Sequence, residues 1–283
     1  MNSAEELIFK NKNLDLNKIK PEIIELTKDI QIIATNHKLC DRNFKYNIKN
    51  PLDRISEFGG VIVETRPIKQ LLFVINNYFE KINFPLLIFT SKNTANYVLS
   101  NLMEHFDRNL MIITEIDADN LSPNEYNKIL LDKDFWSLIP FKKALFFQTD
   151  SLICKDSKYK IEDFFEFDYI GSAWDHNRPI NLRIDGGSGG FSLRNVDLSK
   201  MAIQKFGINH WPGGEDGYFA FHFEFLKGKV AKFNECIKFS TQEFFLDNSF
   251  GCHRVELLKQ EYKEKFFKYE IQASSILNNG LDK

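Results

Sequence analysis

The chain has 283 residues, with 37 Lys and Arg against 39 Asp and Glu, a formal net charge of -2, and 43% hydrophobic residues. That length and apolar content can bury one substantial core, and the balanced charge supplies no long-range field to draw the chain onto nucleic acid. Four cysteines, Cys40, Cys154, Cys236 and Cys252, stand singly with no CxxC pair, which argues against a zinc site or a disulfide framework and for a reducing compartment.

Met1 to Lys20 has no apolar h-region, and no uninterrupted apolar run of about 18 residues follows, so a soluble, cytoplasmic protein without a transmembrane segment is expected. Residues 1–57 read as an N-terminal helical extension. Within it, Pro21 to His37 places Ile23, Ile24, Leu26, Ile30, Ile33 and Ala34 near one helical face. From Gly59 short apolar runs alternate with helical patterns, the signature of an α/β domain with a largely parallel sheet, assigned to residues 58–270. Strands are expected at Val61–Thr65, Pro85–Phe89, Leu110–Thr114, Lys143–Phe147, Phe167–Ile170 and Gly190–Leu193. Helices are expected at Ile68–Phe79, Tyr97–Phe106, Glu215–Leu226 and Glu256–Phe267, with a further one between Ser122 and Lys133. Residues 271–283 form a tail, frayed after Gln272.

Ligands of open α/β sheets gather at the carboxyl ends of the strands, so polar residues directly after apolar strands are the ones to examine. Glu64-Thr65-Arg66-Pro67 follows the first strand, where Arg66 can contact a nucleotide or its phosphates and Glu64 and Thr65 offer hydrogen bonds to base or ribose. The alternative is ordinary loop polarity ahead of a proline that opens a helix. Gln148-Thr149-Asp150 follows Ala144-Leu145-Phe146-Phe147. An acid there can ligate a divalent cation bridging two phosphates, or it caps a turn. One carboxylate holds a hard cation weakly, so a second ligand is required.

Gly186-Gly187-Ser188-Gly189-Gly190 leads into a strand and has neither dinucleotide nor Walker spacing; its glycines allow backbone amides to approach a bulky ligand. In Trp211-Pro212-Gly213-Gly214-Glu215-Asp216-Gly217 two acids open a helix, where one can take a proton from an acceptor hydroxyl while the other orients it. Trp174 and Trp211 offer flat faces for stacking on a sugar ring, against the alternative that both are core.

In this order Gln148-Thr149-Asp150, Tyr169-Ile170-Gly171, Gly186 to Arg194 and Glu215-Asp216 resemble a GT-A glycosyltransferase-like family with QTD, YIG, GGxGGFSLR and ED motifs, over about residues 58 to 270. Trp211 to Asp216 is also similar to the WGGED motif of beta-1,4-galactosyltransferases, with Pro212 as a departure. Gln148 departs from the DxD element of GT-A enzymes by replacing its first Asp. The resemblance implies a GT-A (Rossmann-like) fold with a mixed, largely parallel central sheet. It implies transfer of a sugar from a nucleotide-diphosphate donor, UDP by analogy, to a glycan or other hydroxyl acceptor, with a divalent cation, Mn2+ ahead of Mg2+. On this basis Asp216 is the inverting base and Glu215 the acceptor-orienting acid. Asp150 and His253 are then the metal ligands, and Gly187, Ser188 and Gly189 line the sugar and acceptor pocket. Gln148 and Thr149 are donor-binding, and Arg254 holds the diphosphate. A metal-dependent phosphohydrolase or nucleotidyltransferase, and a non-catalytic nucleotide-sugar or glycan-binding module, stay open as alternatives.

Overall fold

The computed structural model describes residues 2–3, 20–27, 40–51, 55–175 and 182–280. A two-residue strand β1 (Asn2–Ser3) and a helix α1 (residues 20–27) come first. The remainder of the expected helix Pro21 to His37 lies outside the described residues. An edge strand β2 (Tyr46–Ile48) then leads to β3 (Ser56–Val63), α2 (Lys69–Lys81), β4 (Leu86–Thr90), α3 (Lys92–Asp107) and β5 (Met111–Ile116). In this alternation β3, β4 and β5 are parallel neighbours, with Gly60 opposite Leu86 and Leu86 opposite Met111. The strands are almost continuously apolar because both faces are covered. Leu86 and Ile88 of β4 join one core with α2 and α3, while Leu87 and Phe89 join a second core on the other face. Helix α3 starts ahead of the expected Tyr97 because the Ser91 hydroxyl accepts the Thr94 N–H and caps it.

A capping box between Ser122 and Glu125 opens α4 (Pro123–Leu130), and Asp132 caps α5 (Lys133–Ser137). β6 (Phe141–Phe147) lies parallel to β3, followed by β7 (Ser151–Ile153) and β8 (Tyr169–Ser172). β9 (Leu182–Arg183) pairs with β1, and β10 (Ser188–Asn195) runs antiparallel between β6 and β8. The resulting seven-stranded sheet has the order β2-β5-β4-β3-β6-β10-β8, with only β2 and β10 reversed. The expected α/β class with a mixed, largely parallel central sheet is therefore the architecture of the chain. β2, placed by sequence in the N-terminal extension, pairs with β5 as an edge strand of this sheet.

Helices α6 (Val196–Phe206), α7 (Glu215–Phe225) and α8 (Phe233–Phe239) follow, then β11 (Ser240–Thr241), β12 (Gly251–His253) and α9 (Gln260–Tyr269). α4 to α7 cover the second core. β11, β12 and β7 form a small sheet that brings the C-terminal segment beside the end of β6. Ile271–Gly280 winds as a 3-10 segment with Ala273 and Ile276 buried, so the segment expected to fray after Gln272 packs against the core. No helix among the described residues is long and apolar enough to cross a membrane.

Candidate active site

β3 and β6 end side by side, bringing Glu64-Thr65-Arg66 next to Gln148-Thr149-Asp150. The first loop is pinned from below: Thr90 Oγ1 donates to the Glu64 carbonyl at 2.7 Å, and Ser91 Oγ and Thr94 Oγ1 donate to the Thr65 carbonyl at 2.9 and 2.7 Å. Arg66 closes a fork on Glu64, with Nε to Oε1 at 2.9 Å and Nη2 to Oε2 at 2.8 Å. That bond, with the nearby Asp150 charge, raises the guanidinium above its ordinary value. Thr65 Oγ1 and Thr149 are buried, and the Thr65 hydroxyl has no hydrogen-bond partner among the described residues.

The second loop meets the C-terminal segment through β7 and β12, which set His253 opposite Ser151, and through the Arg254 N–H on the Asp150 carbonyl at 3.2 Å. The His253 ring is 3% exposed. Its Nδ1 lies 2.8 Å from Gln242 Oε1, and its Nε2 lies 3.3 Å from Gln148 Oε1 and 3.4 Å from Asp150 Oδ1. Asp150 Oδ1 is buried and has no hydrogen bond among the described residues. Burial opposes the Asp150 charge, but a His253 ring carrying a second proton, together with Arg254, would outweigh it and lower the carboxyl below its ordinary range. A side chain at Gly190 would place its Cβ 2.2 Å from the imidazole, so only glycine admits His253 here. Arg254 is exposed, has φ 48°, and bonds Glu256 through Nε at 3.1 Å.

Among the described residues no three His, Cys, Asp or Glu side chains group to hold a metal. Asp150 and His253 alone supply two, and the orphaned, buried Oδ1 facing an imidazole nitrogen is a donor set that fits Mn2+ or Mg2+.

The acid pair is divided by its surroundings. Arg194, fully buried, grips both oxygens of Glu215, through Nη1 to Oε2 and through Nη2 to Oε1 at 3.2 Å. It also donates to the Gly189 carbonyl at 3.2 Å and to Ser192 Oγ at 2.9 Å, and packs against the Phe146, Tyr169 and Phe219 rings. Burial works against the Arg194 charge, but Glu215 outweighs it and raises the guanidinium; burial likewise raises the Glu215 carboxyl. The Glu215 N–H donates to Asn127 Oδ1 at 2.6 Å, so both ends of this residue are tied down. Glu215 therefore fixes the helix start, in place of the expected acceptor-orienting contact. Asp216 is half-buried and accepts from backbone N–H groups of Gly217 at 2.7 Å and Gly189 at 3.3 Å.

Trp211 is no stacking platform: it is 4% exposed, stacks on Phe221, and donates Nε1–H to the Gly214 carbonyl at 2.8 Å. Trp174 is half-buried and lines a shallow pocket, with room for no more than about one water, together with Gly186, Gly187, Asp185 and Phe233. Gly187 has φ 83° and its Cβ position is 2.3 Å from the Ser172 carbonyl, so backbone packing against β8 already demands glycine there. Ser188 pairs with Ser172, while Gly189 and Gly190 stand between the acid pair and His253.

Residues 111–253 match the family described as "Protein of unknown function (DUF5672)". The chain belongs to this family. The DUF5672 span opens on β5 and closes on His253, taking in Asp150, Arg194 and the acid pair but leaving out Glu64 to Arg66 and Arg254. Among solved structures the chain is similar to the apo-form glycosyltransferase GlyE of Streptococcus pneumoniae TIGR4, at 12% identity over 80% of this chain and 64% of that one, with a TM-score of 0.47. It is also similar to the mannosyltransferase PcManGT of Pyrobaculum calidifontis in complex with GDP-Man and Mn2+, at 10% identity over 76% of this chain and 62% of that one, with a TM-score of 0.40. The chain spans less than two thirds of the length of either, and likeness at this level carries no argument about activity. No curated protein matches the sequence.

Four residues of the DUF5672 span take up places that sequence reasoning did not assign. Arg194 and Asn127 hold Glu215, Gln242 holds His253, and the Tyr126 hydroxyl lies beside Gln148 and within reach of the Glu215 and Asp150 charges. Arg194 alone left a signal, a charged residue closing the apolar strand Phe191 to Leu193.

Proposed function

We propose that the chain is a metal-dependent glycosyltransferase that passes a sugar from a nucleoside-diphosphate donor, UDP first among candidates, to a hydroxyl of a glycan or other acceptor. The carrying observation is the contrast within the acid pair: Glu215 has its oxygens on Arg194, whereas Asp216, among the described residues, is bonded only to backbone N–H groups and keeps lone pairs for a substrate proton. The resemblance of the QTD, glycine-loop and ED segments to GT-A enzymes supplies the reaction class, and the mixed α/β sheet is compatible with it.

In this mechanism the acceptor hydroxyl gives its proton to an Asp216 oxygen while its oxygen bonds to the anomeric carbon. The bond from that carbon to the diphosphate oxygen breaks, and its electron pair leaves with the diphosphate, inverting the configuration. A divalent cation held by Asp150 and His253 would offset the charge developing on that leaving group. Glu64 orients Arg66 at the same strand edge, where its remaining N–H donors suit phosphate or ribose oxygens. Arg194 and Asn127 keep the start of α7 in place so that Asp216 meets the acceptor in one geometry.

Thermal stability of the purified chain with nucleoside diphosphates and their sugars, each with Mn2+, Mg2+ or chelator, tests this. A ligand that binds only the folded state raises the melting temperature, so one nucleotide should give a shift that chelator removes. No shift with any nucleotide sugar would defeat the proposal. Turnover of a nucleotide sugar without an acceptor would favour a phosphohydrolase.

A further inference from the structure

His253 faces more acceptors than a neutral imidazole can satisfy. Its Nδ1 is 2.8 Å from Gln242 Oε1, and a carboxamide oxygen only accepts, so Nδ1 carries the proton. Nε2 then presents a lone pair, and it points at two further lone-pair bearers, Gln148 Oε1 at 3.3 Å and Asp150 Oδ1 at 3.4 Å. Three acceptors converging on one partly buried space repel one another unless something positive lies among them. A second ring proton can be shared with one oxygen in good geometry, yet Asp150 Oδ1 has no hydrogen bond among the described residues. A cation serves all three atoms at once. Adjacent ligands about 2.1 Å from a common ion lie about 3 Å apart, close to the spacing seen here, and amide oxygens are ordinary ligands for hard divalent ions.

We infer that Gln148 is a third protein ligand, through Oε1, to the divalent cation held by Asp150 and His253, and that Gln242 is the positioning residue that turns the His253 lone pair toward it. This rests on the metal site proposed above. The replacement of the first DxD acid by Gln148 then keeps a ligand oxygen and removes one negative charge. Gln242 acts as the outer partner that fixes the tautomer and orientation of a metal-bound histidine.

Binding of Mn2+ alone, followed by the electron paramagnetic resonance signal of the free ion and repeated with UDP, tests the assignment on wild type, Gln148→Ala, Gln148→Glu and Gln242→Ala. Gln148→Ala is expected to weaken Mn2+ at least about tenfold, and Gln242→Ala by about 10- to 100-fold, as for other outer-shell partners. Gln148→Glu should tighten Mn2+ and, through its repulsion with Asp150, lower the melting temperature until Mn2+ restores it. Wild-type affinity in both Gln148 variants, with wild type binding Mn2+, would overturn the third ligand and leave the metal site standing. Wild-type affinity in folded Gln242→Ala would remove the positioning role. Wild type that binds no Mn2+, with or without UDP, would overturn the site and the inference together. Should Gln148→Ala fail to fold, the Gln148→Glu comparison decides.

Discussion

Two charged clusters flank Gly189 and Gly190, and they are built on opposite principles. Around Arg194 each charged group is answered: the guanidinium takes both Glu215 oxygens, a carbonyl and a hydroxyl, and three aromatic rings close over it. Around His253 the groups are alike rather than complementary, with an imidazole nitrogen, an amide oxygen and an orphaned carboxylate oxygen facing one another. The first cluster is a lock that holds backbone geometry; the second is the place proposed for the cation. On that proposal buried charge serves stability in one place and binding in the other, and the two respond differently to substitution.

The lock should break most severely. Glu215→Ala leaves the Arg194 charge buried and unpaired, with an expected loss of about 3–5 kcal/mol in denaturant unfolding. Arg194→Met with Glu215→Leu should recover part of that loss, because an apolar pair removes both desolvation costs. A double variant no more stable than Glu215→Ala would mean the pair is not the main support of the start of α7. Gly190→Ala touches the boundary between the clusters: a Cβ 2.2 Å from the imidazole must push His253 aside. Overpacking of this kind costs about 1–3 kcal/mol. Mn2+ affinity should fall with it, and a variant that keeps wild-type Mn2+ binding would place the cation away from His253.

Acid should loosen the lock side as well. His222 Nδ1–H donates to the Tyr218 carbonyl at 2.7 Å, so its Nε2, 3.0 Å from His210 Nε2, accepts. Burial, reinforced by His210, holds His222 down at about 3, and burial with the Lys20 charge holds His210 at about 4. A histidine depressed in the folded state takes up its proton more readily when unfolded. Stability is therefore complete above about pH 6.5 and falls as pH drops from there toward 4, by about 1.4 kcal/mol per pH unit for the fully buried His222. Melting curves across that range should slope accordingly and flatten in His222→Phe; an unchanged slope would contradict the assignment. The smallest effect on stability belongs to Asp216→Asn, within about 0.5 kcal/mol, since it forms no ion pair among the described residues and an amide oxygen can still accept from the backbone N–H groups. The same change should remove about 10²- to 10⁴-fold of turnover.

The alternation of apolar runs and helical patterns made the central strands and α2, α3 and α7 legible, because sheet strands buried on both faces leave little else in their sequence. α6 escaped because its buried positions Val196, Ser199, Ala202 and Phe206 include two small residues and draw no apolar stripe. β7, β11 and β12 are two or three residues long, too short for any period. At the site the sequence marked the loops but not their division of labour. β10 is enclosed by β6 and β8, so Ser192 and Arg194 are buried along with Phe191 and Leu193, which the apolar run alone does not reveal. Trp211 looked like a platform because a lone aromatic beside glycines resembles one; the aromatic face of α7 claims it instead. Gln242 and Asn127 act over long sequence separations onto His253 and Glu215, which no local pattern records.

The most direct test of the proposed activity is release of nucleoside diphosphate from a panel of nucleotide sugars with Mn2+, with and without sugar acceptors, comparing wild type with Asp216→Asn and reading the anomeric configuration of the product by NMR. The account predicts acceptor-dependent release from one nucleotide sugar, abolished by chelator and by Asp216→Asn, with an inverted anomeric centre. Release indifferent to acceptor, or an Asp216→Asn variant as active as wild type, would contradict it.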